Sequence, residues 1–209
     1  MASIASPAEQ RIVLENVSWE TYQRLLSEHV DSTGTRFAYD GGSLEIMVVH
    51  AEHEEINRTL AAVAEAAAMA MERDFCRLGS TTFRRQDLSK GFEPDSSFYF
   101  ENADKVRGKA EIDLVVDPPP DLIIEVDLTS SSLNRFAIFA AIGVREVWRY
   151  AEGQLTISAL DAGQYRTCAR SVVLPPLTPV VLARFVEQSR HLKPHLWFAR
   201  IQEWVRRQR

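Results

Sequence analysis

The stretch Asp121-Leu122-Ile123-Ile124-Glu125-Val126-Asp127-Leu128 decides the fold class. Pro118, Pro119 and Pro120 precede it and stiffen the chain into an extended entry. Read as a strand of period two, it puts Leu122, Ile124, Val126 and Leu128 on one face. The other face carries Asp121, Ile123, Glu125 and Asp127. A central strand is apolar on both faces, and three carboxylates are costly to bury unpaired. They point either to solvent or to a site where a cation gathers them. Thr129 to Ser132 then offer helix caps. Leu133 to Ile142 reads as a buried helix that Gly143 ends, and Val144 to Tyr150 reads as the next strand. Arg135, the one cation of that helix, stands in its first turn, close to the strand just left. Strand, helix and strand make a βαβ crossover, which needs a connection of this length to join parallel strands.

Outward from there the chain reads as hairpins and helices. Arg36–Tyr39 and Leu44–Val49 are strands joined by Asp40-Gly41-Gly42-Ser43, where glycine accepts the positive φ of a hairpin turn. Ser18 is an N-cap for a helix carrying Trp19, Tyr22, Leu25 and Leu26. Glu52 to Arg73 is a long helix with Ile56, Leu60, Val63, Ala67 and Met71 on one face. Phe75–Leu78, Thr81–Arg85 and Ser97–Phe100 are short strands, and Gln86–Pro94 is a polar connection between two of them. Residues 101–111 form a charged loop or exposed helix. Leu155–Leu160 and Tyr165–Ala169 follow as strands, then helices over Pro179–Ser189 and Pro194–Arg207. The expected architecture is α/β, a mixed central β-sheet flanked by helices. Residues 1–10 are a flexible leader and residues 11–209 a single domain with C-terminal helices.

Composition narrows the class. A chain of 209 residues folded as a unit buries roughly 70% of its unfolded surface and needs no disulfide or metal staple. Its 45% hydrophobic and 25% charged residues exclude a disordered chain, a collagen-like repeat and a disulfide scaffold. Cys76 and Cys168 are too far apart for a zinc-type pair and suit a reducing compartment. The apolar run Leu60–Met71 is cut by Glu65 and too short to span a bilayer. Met1–Pro7 lacks the parts of a signal peptide. The expectation is a cytoplasmic protein without membrane contact. A net charge of −5 argues against a sequence-blind DNA binder of the histone type, but leaves room for a local basic rim.

Chemistry concentrates on two carboxylates. Pro94-Asp95 opens one strand and Glu125 sits inside another. Brought together, they form a hard oxygen site suited to Mg2+ or Mn2+, and Arg135 is a cation able to hold a phosphate. By spacing alone the alternative stays open: a turn Asp and a half-exposed strand Glu. Glu52, Glu54 and Glu55 suit the helix N-terminal dipole, or one of them, Glu55, completes the metal site. His50 and His53 read as solvent-facing or hydrogen-bonding residues rather than zinc ligands, and His191 and His195 as loop or helix-cap residues. Arg84, Arg85 and Lys90, and Lys105, Arg107 and Lys109, flank the Asp95 strand and are either a nucleic-acid rim or a solvated surface. Trp148, Trp197 and Trp204 read as core or interface anchors. No phosphate-cradling glycine loop, nucleophile elbow or organic-cofactor fingerprint is present in the sequence.

Four pieces in order resemble one family. They are Gly91-Phe92-Glu93-Pro94-Asp95, Pro119-Pro120-Asp121-Leu122-Ile123-Ile124-Glu125-Val126, Leu128-Thr129-Ser130-Ser131-Ser132, and Ala141-Ile142-Gly143-Val144-Arg145-Glu146-Val147-Trp148. The hairpin Asp40–Met47 and Glu52-His53-Glu54-Glu55-Ile56 fit as well. Together they look like the Uma-two family of restriction endonucleases in the PD-(D/E)XK nuclease superfamily, over roughly residues 15–165. The resemblance implies a restriction-endonuclease-like core with Asp95 and Glu125 as metal ligands, helped by the Val126 carbonyl. The superfamily's lysine would fall two residues after Glu125, where Asp127 stands. Family members place the basic residue on the following helix, and the matching position here is Arg135. Arginine keeps the charge and grips phosphate bidentately but cannot shed a proton.

Two readings follow. One is a Mg2+- or Mn2+-dependent endonuclease that hydrolyses DNA, with Asp95 and Glu125 on the metal, Arg135 on the phosphate, and Asp127, Glu55 or His53 as further members. The other is a catalytically silent nuclease fold that binds nucleic acid or protein. The apolar stripe Trp197, Phe198, Ile201, Trp204 and Val205 packs either on its own domain or on a second copy, a homodimer suiting cleavage of both strands.

Overall fold

The computed structural model describes residues 9–29, 34–129 and 133–208. Most of residues 1–10 and the cap positions Ser130–Ser132 lie outside these. The described strands form two sheets rather than one. In the first, β1 (Glu9–Leu14), β3 (Ser43–Val49), β2 (Thr35–Asp40), β6 (Lys90–Phe92) and β5 (Phe83–Arg85) lie in that order, all antiparallel. In the second the order is β11 (Gln164–Thr167), β10 (Gln154–Asp161), β9 (Glu146–Ala151), β8 (Leu122–Asp127), β7 (Ser96–Tyr99) and β4 (Cys76–Arg77). Its β8–β9 pair is parallel and its other pairs antiparallel, so it is the mixed sheet that the sequence predicts.

The crossover between β8 and β9 is α4 (Arg135–Ile142). It starts where the Asn134 side chain accepts the Ala137 N–H, and it ends at Gly143, whose φ of 92° is open to glycine at little cost. Asn134 is thus the cap of α4. Alternation along β8 sorts its residues between two cores. Leu122, Ile124 and Val126 meet α2 (Ala51–Ala70), α5 (Pro179–Ser189) and α6 (Pro194–Arg206). Ile123 faces the other way, into a core shared with Phe83 and Phe92 of the first sheet and with Ile138 and Phe139 of α4. On the far side of the first sheet, α1 (Trp19–Glu28) packs Trp19 and Tyr22 against Phe37, Tyr39 and Leu44. The layers therefore run helix, sheet, sheet, helices, with α4 beside the seam between the sheets. The short α3 (Ala103–Val106) falls in the charged stretch after β7.

Several expectations need correction. Gln86–Pro94 is not wholly a polar connection, because β6 runs through it with Phe92 fully buried. Its Lys90 pairs with Asp40. Glu9 and Gln10 belong to β1, not to a loose leader. That strand reverses the usual pattern, since Ile12 is 55% exposed while the Arg11 side chain is buried. Hydrophobic alternation therefore gives no sign of its inner face. Most of the C-terminal stripe packs within the chain: Trp197, Ile201 and Val205 are buried in the core that α2 shares and Trp204 packs against it, while Phe198 is 39% exposed. Trp148 is likewise core. Among the described residues no helix is long and apolar enough to cross a membrane.

Gly91 brings α1 down onto β6. A Cβ at this position would stand 2.4 Å from Tyr22 Oη and 2.9 Å from its Cε1. Tyr22 is held in place by stacking on Tyr39, with ring centroids 4.9 Å apart. Gly91→Ala is expected to cost about 1–3 kcal/mol by overpacking, read from urea unfolding. Combined with Tyr22→Ala it should cost less than the sum of the two single changes.

Candidate active site

β7 and β8 pair with Ser96 opposite Ile124. Continued one residue further, that register sets Asp95 opposite Glu125. Asp95 is 4% exposed and Glu125 2%. Asp95 Oδ2 accepts the Val126 N–H at 2.8 Å, fixing the carboxylate against β8. From α2, Asn57 Nδ2 donates to the Asp95 carbonyl at 3.1 Å, and Ser96 Oγ donates to Asn57 Oδ1 at 2.8 Å. One turn earlier on the same helix, His53 Nε2 stands 2.9 Å from Asp95 Oδ1. The two are out of line for a hydrogen bond, so both are buried atoms without a hydrogen-bond partner among the described residues.

Glu125 is met by Arg135 from the first turn of α4. Arg135 Nη1 lies 2.9 Å from Glu125 Oε2, and Nη2 lies 3.4 Å from Oε1 and 3.1 Å from the Glu93 carbonyl. Burial pushes the Glu125 carboxyl well above the ordinary carboxylate range. Arg135 and Arg11 pull it down, while Asp95 and Asp127 push it further up. Burial would lower the Arg135 guanidinium, but Glu125 and Asp95 outweigh it and hold that group more firmly charged.

Asp127 closes the network on its other side. Arg11 of β1 reaches across the seam between the sheets to Asp127, and also to Glu45 of β3 at 3.3 Å. Arg149 of β9 donates from Nε to the other Asp127 oxygen. Burial alone would raise the Asp127 carboxyl, yet Arg11 and Arg149 together hold it below its usual range. Asp121, at the start of β8, accepts the Phe100 and Glu101 N–H groups at 2.7 and 2.9 Å. The β8 carboxylates are thus turned away from solvent. Backbone donors and arginines meet them.

A cleft of about 850 Å³ opens onto Asp95 and Ser96. Its walls are the end of α1, the start of β2, the turn of α2 that carries Asn57 and Arg58, and residues 79–84 and 110–112. Glu93 and Asp95 reach its lining, whereas Glu125 and Arg135 lie behind it. The donors present fit a hard divalent cation in one respect. Asp95 Oδ1 is a buried oxygen with no hydrogen bond directed at it, and Glu125 lies across the strand pair. Among the described residues no three His, Cys, Asp or Glu side chains converge as a cage. Mg2+ commonly takes only one or two carboxylates and completes its shell with water and phosphate oxygens.

The remaining candidates lie apart. Glu55 is exposed, on a separate shallow pocket beside Val186 and Ser189, and does not join the site. Glu54 pairs with Arg58 at 2.6 Å. In the basic groups, Arg85 pairs with Asp87, Arg107 with Asp74 and Lys109 with Asp117. His191 pairs with Glu187 on the surface. Sequence reasoning missed Asn57, Arg11 and Arg149. Only Arg149 left a signal, since a parallel pairing of the two strands of the crossover brings it beside Glu125.

Residues 19–188 match a family model, Uma2, described as "Putative restriction endonuclease". The chain belongs to the Uma2 family. No curated protein matches it. Among solved structures, one described as "a putative nuclease belonging to DUF820" from Anabaena variabilis ATCC 29413 aligns with a TM-score of 0.54. The alignment covers 77% of this chain and 98% of that one at 13% identity, a likeness of fold. The Uma2 match takes in β7, β8, α4 and α2, and so Asp95, Glu125, Arg135, Asn57 and His53. Arg11 lies before it.

Asp127→Asn in this Uma2 chain removes the carboxylate on which Arg11 and Arg149 converge. The expected cost is about 3 kcal/mol, because breaking a buried pair strands its partner's charge. The native Asp127 pKa lies below its unfolded value, so its contribution is complete above the unfolded value and is lost as pH falls through the native one. Glu125 has the opposite sign: its raised native pKa favours folding progressively more as pH falls through it. Denaturant titrations across the acid range should show the Asn variant losing less stability than the parent as pH drops.

Proposed function

We propose that this Uma2 chain is a divalent-metal-dependent nuclease that hydrolyses phosphodiester bonds in DNA. The observation that carries this reading is the cross-strand juxtaposition of Asp95 and Glu125, with Asp95 in the lining of an open cleft. In this reading Asp95 and Glu125 hold Mg2+ or Mn2+ with the help of the Val126 carbonyl. When bound, such a cation lowers the pKa of a coordinated water and neutralises charge on the phosphate. The protein's own residues do the rest. The Val126 N–H and the Asn57–Ser96 pair fix Asp95 before substrate arrives. Pre-fixed groups need no reorganisation as charge develops. Arg135 stays charged at every working pH and offers a planar fork of donors that matches a phosphate. It holds positive charge beside Glu125 but takes no proton, so water must lose its proton elsewhere.

One observation favours a catalytically silent module. Arg135 engages both Glu125 oxygens, which lets the pair serve structure alone. The experiment that separates the readings is plasmid cleavage with Mg2+, Mn2+ or EDTA, beside Asp95→Ala and Glu125→Gln. Metal-dependent cleavage that falls about 100-fold or more in each variant supports the nuclease. Unchanged cleavage in the variants overturns the site, and DNA binding without cleavage, indifferent to metal, supports the silent module.

Arg135→Lys tests the departure from lysine. Lysine retains the charge but loses the bidentate fork. The expected result is retained metal dependence with cleavage about tenfold slower, whereas Arg135→Met should abolish it.

A further inference from the structure

The cleft constrains the form in which substrate reaches Asp95. Asp95 is nearly fully buried, so a scissile phosphate has to come down to it through the cleft. At about 850 Å³ the space lies in the range of small-ligand pockets, roughly 300–1,000 Å³. A B-form duplex, whose major groove alone is about 12 Å wide, does not enter such a space, while a short run of one strand does. The walls carry what one strand requires. Arg58 and Arg84 line the cleft and both are exposed. Arg58 is balanced by Glu54, whereas Arg84 makes no ion pair among the described residues. The exposed His29 ring lines the same cleft and packs edge-on against Phe37, centroids 5.6 Å apart. The lining also holds Glu54, Glu93, Asp95 and Glu111, so Arg84 is the exposed lining cation without an ion-pair partner among the described residues, and a flat ring beside such an arginine is an arrangement by which proteins take up unpaired bases and their backbone.

We propose that the strand to be cut enters this cleft unpaired, so that the substrate is single-stranded DNA. Arg84 grips a backbone phosphate at the entrance and His29 supports a base. The inference rests on the nuclease reading of the same site, and it names the form of the substrate that this reading leaves open.

The test compares one labelled oligonucleotide, single-stranded and annealed to its complement. Binding is followed by fluorescence anisotropy with EDTA, and cleavage with Mn2+. The single strand is expected to bind and be cut at least about tenfold better than the duplex. Arg84→Ala should weaken single-strand binding at all sequences alike and reduce its log–log salt slope by about 0.7, the loss of one phosphate contact. Circular dichroism verifies that this surface variant is folded. A duplex cut as well as the single strand overturns the inference and leaves the nuclease intact. If neither form is cut, the nuclease reading fails and binding decides alone: single-strand preference sensitive to Arg84 upholds the entry route, and equal or duplex-favoured binding overturns it.

Discussion

Glu125 and Asp127 belong to β8, whose six residues Leu122–Asp127 are buried, as is Asp121 just before them. An ionised carboxylate in such surroundings is tolerated only where donors and cations meet it. The rest of the architecture answers to that constraint. Asp121 takes two backbone N–H groups, Glu125 takes Arg135, and Asp127 takes Arg11 and Arg149. These partners come from the stretch after β7, from α4, from the edge of the other sheet and from β9. The charge matching therefore also fixes how the two sheets lie against each other, in a way that non-directional apolar packing would leave looser.

The frame was legible where one local rule governs. The crossover showed because its strands are apolar, its helix is apolar and Gly143 stops it. The β2–β3 hairpin showed because Gly41 and Gly42 both take positive φ, 54° and 111°. β1 and β6 were hidden for physical reasons. β1 turns Ile12 outward and Arg11 inward, against the rule that apolar side chains go inside. β6 has three residues, one of them Gly91, whose value lies in the side chain it lacks. The division into two sheets was hidden as well, because it depends on which strands pair, a long-range matter that alternation does not encode.

The site divides in the same way. Asp95, Glu125 and Arg135 were legible because strand order and the first turn of the crossover helix bring them together. Asn57 was not, since an Asn within a helix looks like any polar surface residue until its carbonyl partner is known. Arg11 was not, because its partner is 116 positions away. Of the two expected settings for the β8 carboxylates, burial excludes solvent, and arginines of the chain itself are among the cations that meet them. That matters for chemistry, since the Glu125–Arg135 pair lies behind the cleft floor and Asp95 alone of the expected trio is on its surface.

The link from Arg11 to Asp127 also sets an order of events during synthesis. β1 leaves the ribosome well before the carboxylate that anchors Arg11, which lies 116 positions further on, and Arg149 follows later still. Until then β1 can pair with β3 but cannot settle Arg11's charge across the seam. Contacts so distant in sequence form slowly, because the intervening loop must close first. β1 is thus fastened across the seam only once β8 and β9 have been made, and until then the β1–β3 ribbon lacks that anchor.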